Sequence, residues 1–174
     1  KKFQVGQRVG VGWIHHSTGN RDENLAPEFR ATGCDVDGGY AELMTVPEAY
    51  AERIPENLTD VEAAPLMCAG AIGFRSVRLA RIEDGQALGL MGFGSSAHLV
   101  LQMVRHLYPH SPIYVFDRSE SVREFAMTIG AQWAGTIAAE CPEPLQAIID
   151  TTPVWRPVVE SMKMQMELRA PQSG

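Results

Sequence analysis

Cysteine is scarce in this sequence: Cys34, Cys68 and Cys141 are the three thiols in 174 residues, odd in number and far apart. That argues against a disulfide framework and for a reducing, cytoplasmic compartment. No Cys-x-x-Cys pair occurs, which argues against a self-contained zinc lobe. Positive charge is also short. The 15 Lys and Arg against 21 Asp and Glu leave a formal net charge of -6, the wrong sign for a nucleic-acid partner. No apolar run reaches the ~18 residues that suggest a membrane span. The opening Lys1-Lys-Phe-Gln-Val-Gly6 has no apolar h-region, so no signal peptide is expected. Internal repeats and low-complexity stretches are missing too. The remainder is ordinary soluble composition, 45% apolar and 21% charged, sufficient to bury a core in one domain, or one domain and part of another.

The chain reads as two unlike parts that meet at Thr59. Residues 1–58 are rich in glycine and short β-type runs. Val5–Ile14 predicts a turn and a strand, Gly38–Val46 a second strand entered through a glycine pair, and Ala51–Ile54 a third before Pro55. The polar stretch 15–33 reads as irregular, with a turn at Gly19-Asn20. Thr59-Asp-Val-Glu62 fits a capping box, in which the Thr hydroxyl takes the amide at N3 and the Glu reaches back. A helix is expected from there to about Leu79, although Gly70 and Gly73 inside it cost ~1 kcal/mol each against Ala. Such glycines predict close packing or a cofactor passing nearby.

After Gly85 the pattern is strand, helix, strand, helix, strand. Ala87–Met91 is apolar without alternation, as a strand buried on both faces would be. Ala97–Leu107 carries a helical apolar stripe, and Pro112–Phe116 is the next strand. Ser121-Val-Arg-Glu124 is a second capping-box match, opening a helix that stops at Gly130. Trp133–Ile137 and Leu145–Ile149 are further strands, and a helix is expected from Pro153 to about Leu168. Alternating strands and helices predict an α/β fold with a parallel, Rossmann-type sheet over 59–174.

The strongest local signal is Gly92-Phe-Gly94-Ser-Ser-Ala97, a G-x-G-x-x-A turn between a buried strand and a helix. Gly92 permits the tight turn, Gly94 leaves room where backbone meets a diphosphate, and Ala97 lets the helix lie close to the strand. The helix start offers free amides and a partial positive charge, to which Ser95 and Ser96 can add hydroxyl donors. Asp117 ends the following strand, at about the separation kept by the ribose-binding acid of dinucleotide folds. A carboxylate there accepts both ribose hydroxyls and repels a 2′-phosphate, favouring NAD over NADP. Arg118, next to it, could stack on adenine or hold a phosphate, which leaves NADP possible. Thr151 and Thr152 end the fourth strand, within reach of a bound ribose or nicotinamide.

These residues, with Pro65-Leu-Met-Cys68-Ala-Gly70, Val5–Gly10, Gly38-Gly39-Tyr40-Ala-Glu42 and Ala63-Ala-Pro65, resemble the zinc-dependent medium-chain alcohol dehydrogenases, in family order along nearly the whole chain. The resemblance implies part of a GroES-like β domain (1–58), followed by a Rossmann-type dinucleotide-binding domain (59–174) cut short at its C-terminus. It implies hydride transfer between a small-molecule alcohol or aldehyde and NAD(P), with a catalytic Zn2+ acting as Lewis acid. It makes Cys68 a zinc-ligating thiolate, and it implies a homo-oligomer for the full-length form. The family's other two catalytic ligands lie upstream of the segment matching residue 1. Its four-cysteine structural lobe corresponds to the stretch from Ser17 to Pro27, which here holds no Cys. On this reading the chain is an interior piece, by itself a poor catalyst. Two alternatives stand beside it: a zinc-free dinucleotide-binding module, and a zinc-free quinone-reductase-like relative.

The remaining candidates read as structural. His15 and His16 form a solvated loop pair, and His98 caps or packs beside the glycine turn. His106 and His110 flank a helix end, where a cation meets the dipole favourably. Cys34, Asp35 and Asp37 are loop residues, and Cys141 is an exposed loop thiol. Met162, Met164 and Met166 share no helical face.

Overall fold

The computed structural model describes residues 2–20 and 25–154. The chain divides into two compact units, Lys1–Cys68 and Ala69–Gly174, so the division falls after Cys68 and not at the change of composition near Thr59.

In the first unit, β1 (Val9–Val11), β2 (Ile14–His16), β3 (Arg30–Ala31) and β4 (Ala51–Arg53) form two antiparallel ladders, β1 with β4 and β2 with β3. His15 and His16 therefore lie on a strand and not in a loop. The strand expected over 38–46 does not form. Tyr40 and Leu43 are fully exposed, and no ladder partner lies beside them among the described residues. A strand exists through its inter-strand hydrogen bonds, and alternation without a partner cannot supply them. The glycine pair serves a tight loop instead: a Cβ at Gly38 would lie 2.8 Å from the Gly33 Cα. Asp35 braces this loop by accepting the Ala31 amide at 2.7 Å.

The capping box at Thr59 forms as read. The Glu62 amide donates to the Thr59 hydroxyl and the Thr59 amide to Glu62 Oε2 at 2.9 Å. It opens α1 (Asp60–Ala63), but the helix does not continue to Leu79. Pro65 lies in a 3-10 turn over Ala64–Met67, Cys68 leaves helical geometry, and α2 (Ala69–Ala80) starts afresh. Proline removes one amide from the ladder and crowds the preceding turn, so apolar periodicity cannot carry a helix through it.

In the second unit, α2 leads to β5 (Leu88–Met91), α3 (Ala97–Leu107), β6 (Ile113–Phe116), α4 (Glu120–Thr128), β7 (Trp133–Gly135) and β8 (Ala147–Asp150). The four strands are parallel in the order β7-β6-β5-β8. Leu88, Leu90, Ile113, Val115 and Ile149 meet Val77, Val100, Leu101 and Val104 of the helices on one face. Met91, Tyr114 and Phe116 point to the other, where Trp133, Leu145 and Cys141 cover them. Both faces of the central strands are buried, which is why their sequences do not alternate. Cys141 is thus no exposed loop thiol; it packs half-buried, and burial pushes its thiol pKa up.

Two boundaries in this unit differ from expectation. The fourth helix starts after Ser119, not at Ser121, and its cap makes no side-chain bond because the Ser119 hydroxyl pairs with that of Ser121. Asp117 Oδ1 accepts the Ser119 amide at 2.8 Å and sets the entry earlier. Pro153 and Val154 form a bend and not a first helical turn; the rest of that expected helix, with Met162, Met164 and Met166, lies outside the described residues. Among the described residues no helix is long and apolar enough to cross a membrane.

Gly73 explains one helical glycine by packing. A Cβ there would sit 3.0 Å from Val100 Cγ2 of α3. Gly73→Leu is expected to force the two helices apart and cost ~1–3 kcal/mol, the usual penalty of overpacking. A lowered urea midpoint by far-ultraviolet circular dichroism would show it, and an unchanged midpoint would contradict the packing role.

The turns before β5 and β6 are joined by Asp84 and His110. The His110 amide donates to Asp84 Oδ1 at 2.9 Å, and its Nδ1 lies 2.6 Å from Oδ2. The hydrogen bond to Asp84 raises the His110 pKa, and that to His110 lowers the Asp84 pKa. The raised histidine stabilises below its unfolded pKa of ~6.5 and ceases to do so as pH rises through the folded value. The lowered aspartate stabilises above its unfolded pKa and loses that effect as pH falls through the folded value. Stability should therefore decline on leaving the acidic-to-neutral window in either direction. The alkaline decline should disappear in His110→Gln, as read by thermal melts across pH; its persistence would exclude the pair as its origin.

Candidate functional site

The site forms where β5 runs into α3. Gly92 takes φ +75°, and its amide donates to the Phe116 carbonyl at 2.8 Å. A Cβ at Gly92 would be 2.8 Å from Thr152 Cγ2, so both conformation and space demand glycine. Phe93 is turned into the core, 4% exposed, with its ring centroid 6.3 Å from that of Phe125. Gly94 is exposed, and a Cβ there would meet nothing within 4 Å. Ala97 is fully buried under the first turn of α3. Ser96 makes no side-chain cap. The amides of Ser95, Ser96 and Ala97 have no protein acceptor among the described residues, which leaves the donors an anion takes at a helix start.

Asp117 stands opposite, at the end of β6. Its Oδ2 accepts the Phe93 amide at 2.9 Å and its Oδ1 the Ser119 amide at 2.8 Å. Arg123 of α4 holds this corner from behind, donating to the Asp117 and Arg118 carbonyls at 3.0 Å each. From β8 the Thr151 hydroxyl donates to the Met91 and Gly92 carbonyls at 3.3 and 3.4 Å. Thr152 is held by Asp150, whose Oδ1 accepts its amide at 2.8 Å and its hydroxyl at 2.6 Å.

Gly92, Gly94, Asp117, Arg118 and Thr151 line one crevice of about 550 Å³ at the carboxyl ends of the parallel strands. Ligands of open α/β sheets bind at this edge. Ser95, Ser96 and Ala97 adjoin it at the start of α3 without lining it. His98 takes the packing role, with Nδ1 3.1 Å from the Gly94 carbonyl and its ring near Phe125. Arg123 and Asp150 were not legible as site residues. A basic residue one turn into the helix after the strand-ending acid is the signal that could have suggested Arg123.

Cys68 belongs to the first unit and is exposed. Among the described residues no group of three or more His, Cys, Asp or Glu side chains could hold a metal ion. A catalytic zinc needs three protein ligands and an open position, so the described residues do not fit one by themselves.

No protein-family model matches the chain. Among curated proteins it is 43% identical over 159 residues to the probable alcohol dehydrogenase AdhA of Mycobacterium tuberculosis, covering 88% of this chain and 45% of that one. It is 31% identical over 156 residues to an alcohol dehydrogenase of Geobacillus stearothermophilus, covering 86% and 45%. The chain thus spans about half the length of the curated relatives it matches. Among solved structures, that of CAD from Helicobacter pylori complexed with NADP(H) superposes with a TM-score of 0.77 at 26% identity, covering 88% of this chain and 48% of that one. The likeness carries the fold, part of a GroES-like unit followed by a Rossmann-type sheet. With a glycine turn, a strand-ending acid and a parallel sheet in the order seen here, the chain is similar to the medium-chain alcohol dehydrogenases over about half of their length.

Proposed function

We propose that the crevice between β5, β6 and β8 binds a nicotinamide adenine dinucleotide, and that the chain serves hydride transfer between a small-molecule alcohol or aldehyde and that cofactor. The observation that carries this reading is the meeting of the open Gly94 turn with the Asp117 carboxylate across one crevice. The free amides at the start of α3 would hold the diphosphate, and Asp117 the adenosine ribose. Arg118 would lie along the adenine. Thr151 would face the ribose or nicotinamide. When bound, the dinucleotide supplies or accepts the hydride. The likeness to these dehydrogenases and the NADP(H) complex of the Helicobacter pylori relative support the same cofactor class. Asp117 favours NAD, because a carboxylate repels a 2′-phosphate.

Zinc is a separate question. Cys68 would give one thiolate, and one ligand does not hold a zinc ion. The stretch from Ser17 to Pro27, which holds no cysteine, favours a second reading, a dinucleotide-binding module without metal chemistry. Both readings are tested on one sample of the 174-residue chain, by titration with NADH and NADPH followed by elemental analysis. Saturable binding, tighter for NADH, is expected. Near one zinc per chain would make Cys68 the first residue to substitute. A metal-free chain that still binds NADH would show that the dinucleotide site needs no metal. A folded chain that binds neither nucleotide would overturn the assignment.

A further inference from the structure

Between Gly92 and Phe93 lies a single peptide unit, and it is held from both sides. Its carbonyl accepts from the Thr151 hydroxyl at 3.4 Å, and its N–H donates to Asp117 Oδ2 at 2.9 Å. Thr151 comes from the end of β8 and Asp117 from the end of β6, the two neighbours of β5 in the sheet. Beyond this peptide, Gly94 has no packing atoms around the position of its absent Cβ. Its own lack of a side chain also makes it the most permissive backbone in the turn. The Gly92–Phe93 peptide is therefore the last unit that bonds from the neighbouring strands fix before the free amides of Ser95, Ser96 and Ala97. The Phe93 ring, buried in the core, anchors the side chain but does not set the peptide's rotation.

We infer that Asp117 is the positioning residue of the glycine turn as well as its ribose acceptor, so that one carboxylate couples recognition of the sugar to recognition of the diphosphate. This rests on the dinucleotide reading above. The acceptor count allows it. A carboxylate has about four acceptor positions. The Phe93 and Ser119 amides take one each, on different oxygens, which leaves capacity for ribose hydroxyls. An asparagine has one acceptor oxygen, and its NH2 faces one of the two amides donor to donor. One amide, that of Phe93 or that of Ser119, then loses its partner, whereas alanine removes the acceptor from both and releases the peptide to rotate.

The test compares the wild-type chain with Asp117→Ala, using two probes that divide the site: adenosine, with a ribose and no diphosphate, and inorganic pyrophosphate, with no ribose. A carboxylate that only grips ribose leaves pyrophosphate binding unchanged, or tightens it, because the variant removes a negative charge. If Asp117 sets the turn, pyrophosphate binding weakens despite that, by about tenfold or more, the loss of about one charge-assisted hydrogen bond. Unchanged or tighter pyrophosphate binding overturns the inference. Adenosine reports the ribose reading separately, so unchanged adenosine affinity would remove that reading and leave the positioning role to the pyrophosphate result. Amide exchange in the wild-type chain gives a measurement that needs no variant. The Phe93 amide is expected to be protected while those of Ser95 and Ser96 exchange freely; a Phe93 amide exchanging as fast as theirs overturns the inference as well.

Discussion

Gly94→Val is expected to fold like the wild type and to lose dinucleotide binding, with NADH affinity falling ~100-fold or more, a change of ~2.7 kcal/mol. The two halves of that expectation come from one measurement. A Cβ at Gly94 would meet nothing within 4 Å, and the residue does not adopt the positive φ that would strain a side chain. The fold therefore has no objection to valine. A diphosphate held by the amides of the turn must approach the backbone closely, and the valine branches fill that space. Gly92 makes the contrast. There φ is +75°, and a Cβ would lie 2.8 Å from Thr152 Cγ2, so Gly92→Ala should lower stability itself. Fluorescence titration with NADH, beside a thermal melt, separates the two. A folded Gly94→Val chain with wild-type NADH affinity would remove the diphosphate from this turn.

Asp117→Asn should weaken NADH by about 10- to 100-fold, and NADPH by less. A hydrogen bond to a charged acceptor contributes ~1.5–3 kcal/mol, and the ribose would lose at least one. A 2′-phosphate, by contrast, gains from the removal of a carboxylate, with Arg118 adjacent in the same crevice. The NADH-to-NADPH affinity ratio is the useful readout. Loosening of the turn through the Phe93 amide affects both nucleotides and cancels in the ratio, whereas the ribose contact does not. Equal losses for both would take the ribose role away from Asp117.

Much of the second unit was legible because its signals are local. The apolar runs at 88–91 and 113–116, the stripe over 97–107 and the glycine at 130 each mark an element by periodicity or by a conformation only glycine accepts readily. The first unit was less legible. Its strands are two or three residues long, too short for a period to develop. The run 38–46 looks like a strand and is not one, because strand formation depends on a partner that the run itself does not encode. Likewise Ser121-Val-Arg-Glu124 matches a cap pattern, yet an acid two residues before Ser119 decides where the helix begins.

The chemistry proposed for the site is legible in the sequence alone: two glycines and an alanine at fixed spacing before a helix, and an acid at the end of the next strand, predict a surface for a diphosphate and a sugar. Those constraints act between residues close in the chain, where backbone geometry leaves few alternatives. The tertiary structure decided how the pieces are held. Asp117 on the Phe93 amide, Thr151 on the Gly92 carbonyl and Arg123 behind the corner are bonds between separate strands and helices. Each joins groups whose separation in space is set by the sheet order β7-β6-β5-β8, and no spacing along the chain contains that order.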